Sequence, residues 1–507
     1  MRRRLLLTLL AILSLPLPLH SATLTVVPGT GNSCADLEGS FQECLDLAAS
    51  NAQGDILEVT GGDYNLSATL VYTPAVGENF PITIRNADST PPVLSSNLTV
   101  PCLQLAPGSL VDDTNADVTI SGLVFERCED PLEDGGALMI FADEADVSIS
   151  QVTFTQNVSG EDGGALDINA GIDFGAGDVS IVGCIFEGNE ALLGGAFSVG
   201  HGGTGTVEFR NNQVTANTST AGSGGGGGLF VSDGGIVISG NLISGNEADG
   251  EAGGLAINAS TSFIVVTNNI IASNTSTELG GGLTVNIFNP GGSLVATNNT
   301  IYGNSAGAEG GGLHVELEEA NNQADIYNNI VFGNQALLEG KDIFTDEDLS
   351  NDGSTGTVNL FNNIFDAGGF FSECLANPPC TTVNGADSPT NLLEDPLLAD
   401  PANGNFALGQ NSPAIQAGDP AAPEMPDTDF SGNPRPTTPG TNPDIGALQF
   451  QAEPTPTPTP SPTAEIEGDG GCALATVGRP AICWPLLGLL ALGLWKLINK
   501  SKGLNQV

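Results

Sequence analysis

The chain has 507 residues and a formal charge of −47. Only Arg85, Arg127, Arg210, Lys341 and Arg435 supply cations between the N-terminal leader and the Pro-rich linker. So few and so scattered, they exclude nucleic acid and anionic lipid as partners, because both are held by grouped positive charge. Charged residues make up only 14% and apolar ones 40%, with 68 Gly, which excludes a disordered acidic tail and points to a regular, turn-rich fold.

Arg2, Arg3 and Arg4 precede an apolar stretch over residues 5–15, and Ser21 and Ala22 are small; residues 1–22 read as a secretory signal cleaved near Ala22. An uncleaved membrane helix is the competing reading, but the stretch is short and broken by Pro16 and Pro18. Residues 23–130 read as an N-terminal cap and first coils. Ile56-Leu57-Glu58-Val59, Ile82-Thr83-Ile84 and Val118-Thr119-Ile120 are strand-like, and residues 41–50 suit a short helix covering the open edge.

Residues 131–392 are dominated by a repeat. Gly135-Gly136-Ala137-Leu138 returns as Gly163-Gly164-Ala165-Leu166, Gly194-Gly195-Ala196-Phe197, Gly227-Gly228-Leu229-Phe230, Gly253-Gly254-Leu255, Gly281-Gly282-Leu283 and Gly311-Gly312-Leu313, at steps of 26 to 33 residues. Between these copies falls an apolar pair closed by Asn157, Asn189, Asn217, Asn246, Asn274, Asn304 or Asn334. A third stretch alternates with period two, as in Val147-Ser148-Ile149 and Val179-Ser180-Ile181. Three short strands per period, punctuated by Gly and Asn, describe one coil of a right-handed parallel β-helix, an all-β three-sheet solenoid. The Asn recurring once per coil is expected to stack as a ladder at about 4.8 Å. A sandwich or up-and-down barrel would need hairpins and gives no reason for the period.

Residues 393–450 read as a C-terminal closing segment of the β-helix. Residues 451–470 include an alternating Pro/Thr run, a stiff extended linker. Residues 471–507 carry Cys472, an uncharged run over 481–495, then Lys496, Lys500 and Lys502. They read as a hydrophobic anchor or a sorting tail, and membrane contact is expected through this tail alone. In an oxidising compartment the close pairs Cys34 with Cys44 and Cys374 with Cys380, and Cys102 with Cys128, are candidate disulfides, with the connectivity left open; Cys184 suits the core.

The Gly-Gly-Ala-Leu and Phe-x-x-Asn copies resemble the repeats of polymorphic outer membrane proteins over residues 120–345. The stretch from Thr25 through Cys34 to Leu57 resembles the domain named for its Cys-Ser-Leu-Arg-Glu-Ala sequence. Asp395-Pro396-Leu397, Ser412-Pro413-Ala414-Ile415-Gln416-Ala417-Gly418-Asp419 and Asp429-Phe430-Ser431-Gly432-Asn433-Pro434-Arg435 resemble the closing domain of exported bacterial β-helices with variable anchors. The tail is similar to C-terminal sorting tails of Gram-negative bacteria. These resemblances imply an exported protein at a bacterial cell surface or outer membrane, or released from it. The autotransporter barrel that usually ends polymorphic outer membrane proteins is not carried over.

Two functions stay open at this stage. One is a structural, adhesive or interaction protein, monomeric, with polysaccharide or a surface protein as partner. The alternative is a polysaccharide lyase or glycoside hydrolase of the pectate-lyase-like superfamily. No catalytic set is complete, so no catalytic or cofactor residue is assigned. Gly200-His201-Gly202 stands without the acidic elements that accompany such a motif, His314 is expected on the surface, and 4 Tyr with 2 Trp make sugar-stacking platforms scarce. One constellation remains. Glu133, Asp134, Glu161, Asp162, Glu251, Glu278, Glu309 and Glu339 precede the Gly corner in most coils and are expected to form an acidic edge, a candidate site for calcium. A solvated, self-repelling edge is the plainer alternative.

Overall fold

The computed structural model describes residues 22–451 apart from 29–33, 35–37, 52, 76–79, 107–115, 143, 171–176, 232–233, 261, 320, 347–355, 373–381 and 437–440. Residues 1–21 of the expected leader, the pair Cys374 and Cys380, the Pro/Thr run and the C-terminal tail lie outside the described residues. No helix among the described residues is long and apolar enough to cross a membrane.

The repeat folds as a right-handed parallel β-helix. Successive coils add strands to a 14-stranded sheet (I), an 11-stranded sheet (II), an 8-stranded sheet (III) and a second 11-stranded sheet (IV), met in that order along each coil. Register is kept from coil to coil because each strand buries every second side chain, and a slip of one residue would turn the apolar set outward. In sheet I, Val118, Val147, Val179, Val207, Ile236, Ile264, Leu294, Ala324 and Val358 are successive partners, all buried. In sheet II, Phe125, Phe154 and Phe186 stack with centroids 5.3 and 4.9 Å apart.

The sequence reading anticipated three strands per coil; the structure has a fourth of two residues, such as Val158–Ser159 and Glu190–Ala191, which makes sheet III. The chain then turns at the Gly corner into sheet IV. A Cβ on Gly136 would sit 2.2 Å from the Val158 carbonyl oxygen and 2.4 Å from that of Gly164, so only glycine allows neighbouring coils to approach this closely.

Two asparagine ladders run inside the solenoid. In the anticipated one, Asn157, Asn189, Asn217, Asn246, Asn274, Asn304 and Asn334 are buried. The Asn217 backbone N–H and Nδ2 both donate to Asn246 Oδ1 at 2.9 Å, and Nδ2 also donates to the Phe186 carbonyl at 3.1 Å. Cys128 begins the ladder by donating its N–H to Asn157 Oδ1, and the Asp342 carboxylate ends it by accepting from Asn334. The second ladder, Asn212, Asn241, Asn269, Asn299, Asn329, Asn363 and Asn391, lines the turn between sheets I and II. The sequence reading missed it, although the doublets Asn268-Asn269, Asn298-Asn299, Asn328-Asn329 and Asn362-Asn363 mark it.

The N-terminal edge is covered as expected. The helix Phe41–Ala48, started by a Ser40/Glu43 capping box, buries Phe41, Cys44, Leu45 and Ala48, and the strand Glu38–Gly39 pairs with Ala22–Val26. Disulfides join Cys34 to Cys44 and Cys102 to Cys128. Cys184 is free and buried, and burial pushes its thiol up to about 11.

The closing segment lies over the outer face of the later coils of sheet II. There the strand Ile270–Ala272 is buried on both faces: Ile271 joins the core, while Ile270 and Ala272 meet Phe406 and Ala447. Ile330 and Ile364 likewise meet Leu408, Ala414 and Ile445. The first Asn of each doublet adopts positive φ and turns its amide out to hold the segment's backbone. Asn268 Nδ2 donates to the Thr428 carbonyl, Asn298 Nδ2 to those of Asp444 and Gly446, Asn328 Nδ2 to that of Asp419 and Asn362 Nδ2 to that of Ala417. Buried Arg435 completes the clasp, with Nη2 donating to Asn268 Oδ1 and to the Gly446 and Ala447 carbonyls.

Candidate functional site

With the later coils of sheet II covered by the chain itself, the outer face of sheet IV and the Gly corner beside it are the surfaces that carry chemistry. The eight carboxylates expected at that corner do fall there, but as two groups. Between Asp162 and Glu251 the corner residues of two coils are Leu192, Leu193, Gly222 and Ser223, with no carboxylate. Three coil steps at about 4.8 Å separate the groups by roughly 14 Å, beyond the reach of one ion.

In the first group Asp134 Oδ1 accepts the Asp162 N–H at 3.0 Å. Burial, then repulsion from Asp134 and Glu161, pushes the Asp162 carboxyl up to about 6. A fifth member of this group is absent from the sequence expectation. Asp167, in the strand Leu166–Ala170, is buried, and its carboxyl is raised well above its usual range by burial and then by Asp134 and Asp162. In the second group burial and then Glu278 raise the Glu251 carboxyl. Glu133, Glu161, Glu278 and Glu339 are exposed and Glu309 is half-buried. Among the described residues no three His, Cys, Asp or Glu side chains converge as a metal site.

Asp167 occupies the slot that successive coils of sheet IV fill with Met139, Ser198, Gly228, Ala256, Thr284, His314 and Phe344. Alternation points this row outward, so its members read as exposed. The corner folds back over it instead. The Cβ position of Gly310 lies 2.8 Å from His314 Cβ, and that of Gly340 2.7 Å from Phe344 Cβ. His314 is therefore not the surface residue expected: it is 1% exposed, and its ring stacks on Phe344 with centroids 5.5 Å apart.

The next outward row, nearer the turn into sheet I, is more open. Asn286 Nδ2 donates to Asn258 Oδ1 at 3.0 Å. Phe288, which continues the outward parity of Thr284 and Asn286, is 37% exposed, and Phe263, the first residue of the sheet I strand Phe263–Thr267 that follows the corresponding turn one coil earlier, is 48% exposed. The two turns are tied by the Phe288 N–H to the Ala259 carbonyl, and Phe263 pairs in register with Ser293. Counting only Tyr and Trp as platforms overlooked 21 Phe, two of which stand open here.

No Lys or Arg lies on the strands of sheet IV. Arg85 pairs with Glu58, Arg210 with Glu208 and Lys341 with Asp366, Arg435 is buried in the clasp, and Arg127 sits at a turn of positive φ. His201 is buried, its Nε2 lying 2.9 Å from the Gly177 carbonyl oxygen.

The class defined by these features is a parallel β-helix with an acidic corner and an amide- and phenyl-bearing face. No protein-family profile matches the chain, and no curated protein matches its sequence. Among solved structures, the crystal structure of pectate lyase Pel9A aligns over 86% of this chain and 98% of that one, with 14% identity and a TM-score of 0.37.

Proposed function

We propose that this protein is an exported β-helix displayed at a bacterial surface, which works by binding a polysaccharide or a surface protein on the outer face of sheet IV. The observation that carries the reading is the exposure of Phe288, in the turn that leaves sheet IV, and of Phe263, at the start of a sheet I strand, with the half-buried amide of Asn258 on the outward row before that turn. Phenyl faces stack on the apolar side of a sugar ring or an apolar side chain, and amides supply both donors and acceptors. The closing segment leaves this face free. Export, the leader, surface retention by the tail, and the resemblances to polymorphic outer membrane repeats and to variable-anchor closing domains belong to the same proposal.

The test is a glycan array and a surface-protein pull-down with the wild type and the double variant F263A/F288A, run beside a reducing-sugar assay on uronate polymers. Binding that drops at least tenfold in the variant, with an unchanged melting midpoint, supports the reading. Release of oligosaccharide by the wild type would overturn it in favour of a polysaccharide-cleaving enzyme, and retained binding by the variant would move the site off this face.

A further inference from the structure

Five of the eight buried side-chain atoms left without a hydrogen-bond partner among the described residues sit on three consecutive strands of sheet IV: Thr284 Oγ1, Asn286 Oδ1, both ring nitrogens of His314, and Thr345 Oγ1. Thr345, the partner of Val315, faces the core; the other four atoms share the outward side of two neighbouring strands, and because native folds leave few such groups, their concentration there marks a patch held together by packing against its own polarity. Thr284 and Phe344 are the register partners on either side of His314, and Gly310 closes over it with no room for a Cβ.

We propose that this patch is an acid-released latch, in which protonation of His314 opens the Gly corner over sheet IV. A neutral imidazole tolerates a dry slot between a hydroxyl and a phenyl ring. An imidazolium there has two N–H donors and no protein acceptor for either, so it is better accommodated when the corner lifts. The charged groups on the elements around it are Glu316 on its own strand, Asp346 on the next, Glu309 and Glu278 at the corners before its strand and the preceding one, and Glu339, Lys341 and Asp342 at the following corner; the strand Leu283–Ile287 has none. Burial, rather than any of these charges, brings the ring down to about 4 from its ordinary 6.5. The sign follows: a base whose folded value is depressed stabilises the closed corner above about 6.5, and that stability is lost as the pH falls toward 4.

The test is hydrogen exchange by mass spectrometry on the full chain between pH 7 and 4, corrected for intrinsic rates, comparing residues 307–317 and 337–346 with residues 179–210. Local opening of the two corner segments is expected to rise on the order of 10²-fold by pH 4 in the wild type and to stay flat in His314→Phe, which keeps the aromatic stack. Equal pH dependence in the two proteins would overturn the proposal. Should the variant not fold, the wild type suffices: with only 3 His in the chain, ring resonances can be followed directly. Retention of a neutral His314 down to about pH 4 supports the latch, and titration near 6.5 refutes it.

Discussion

Replacing Asn246 by Ala tests the ladder where it is flanked on both sides by intact coils. The side chain accepts from the Asn217 N–H and Nδ2, and donates to the Val214 carbonyl at 3.0 Å and to Asn274 Oδ1 at 2.9 Å. Its removal leaves the buried Asn217 N–H with no acceptor. Asn217 Nδ2 keeps the Phe186 carbonyl, and Asn274 Oδ1 keeps the Asn246 N–H. One orphaned buried donor costs about 1–3 kcal/mol, and the three further bonds lose about 0.5–1 kcal/mol each, for a total of about 2.5–6 kcal/mol. Ser244→Ala, outward and half-buried in the same coil, is the control and should stay within about 0.5 kcal/mol. The assay is urea unfolding at pH 7 by far-UV circular dichroism, with folding and unfolding limbs shown to coincide. Because a solenoid is stabilised mainly between neighbours, exchange protection should fall first in the coils on either side of residue 246. Indistinguishable midpoints for the two variants would show that the ladder bonds contribute nothing net to stability, which refutes the magnitude worked out for the orphaned Asn217 N–H.

Arg435→Met should free the closing segment, at about 3–5 kcal/mol, by leaving Asn268 Oδ1 without its donor and removing the charge-assisted bonds to the Gly446 and Ala447 carbonyls, which keep Asn298 Nδ2 and the Phe430 N–H; limited proteolysis should then cut within residues 405–450 while the coils stay resistant. Burial, countered in part by its bonds from Asn334 and Asp366, holds the Asp342 carboxyl at about 6 against 3.8 in the unfolded chain. A carboxyl raised on folding gives stability that is present below about 3.8 and lost as the pH rises through 6, here about 3 kcal/mol. Asp162 acts in the same direction, so Asp162→Asn should flatten the fall in melting midpoint between pH 4 and 7. This dependence opposes that of His314. If calcium binds the corner, adding it in place of a chelator should raise the melting midpoint of the wild type, and Glu251→Gln with Glu278→Gln should abolish the rise; an unchanged wild-type midpoint removes the calcium reading.

The coil was legible because one physical rule repeats along the chain: alternation, then Gly where coils nearly touch, then Asn where a turn needs an internal donor. Sheet III was not, because two residues such as Glu190 and Ala191 are too few to show a period. The burial of Asp167 and His314 escaped for a different reason. Alternation tells which side of a strand a residue takes, but whether that side is wet depends on the corner four residues earlier, and only the coordinates show Gly310 lying against His314. The docking of the closing segment was written in the sequence but not read. Where Ile270, Ala272, Ile330 and Ile364 are apolar at outward positions, the alternation breaks, and a break in alternation means that both faces are covered.

That break also narrows where function can lie. In the earlier coils the outward positions of sheet II are Thr153, Thr155, Ile185, Glu187, Gln213 and Thr215, polar but for Ile185 and all at least partly exposed; in the later coils several turn apolar and are covered by the chain's own C-terminal segment. A partner competing for the covered face would have to displace a clasp of four asparagines and a buried arginine. The closing segment does not cover sheet IV, and there and at its turn into sheet I the chain departs from its repeat: a carboxylate at 167 and an imidazole at 314 under the corner, and open phenyl rings at 288 in the turn and at 263 where a sheet I strand begins. In a solenoid each coil can be replaced without disturbing those beyond its neighbours. Departures gathered on one free face are therefore where selection for binding, as opposed to folding, would leave its mark.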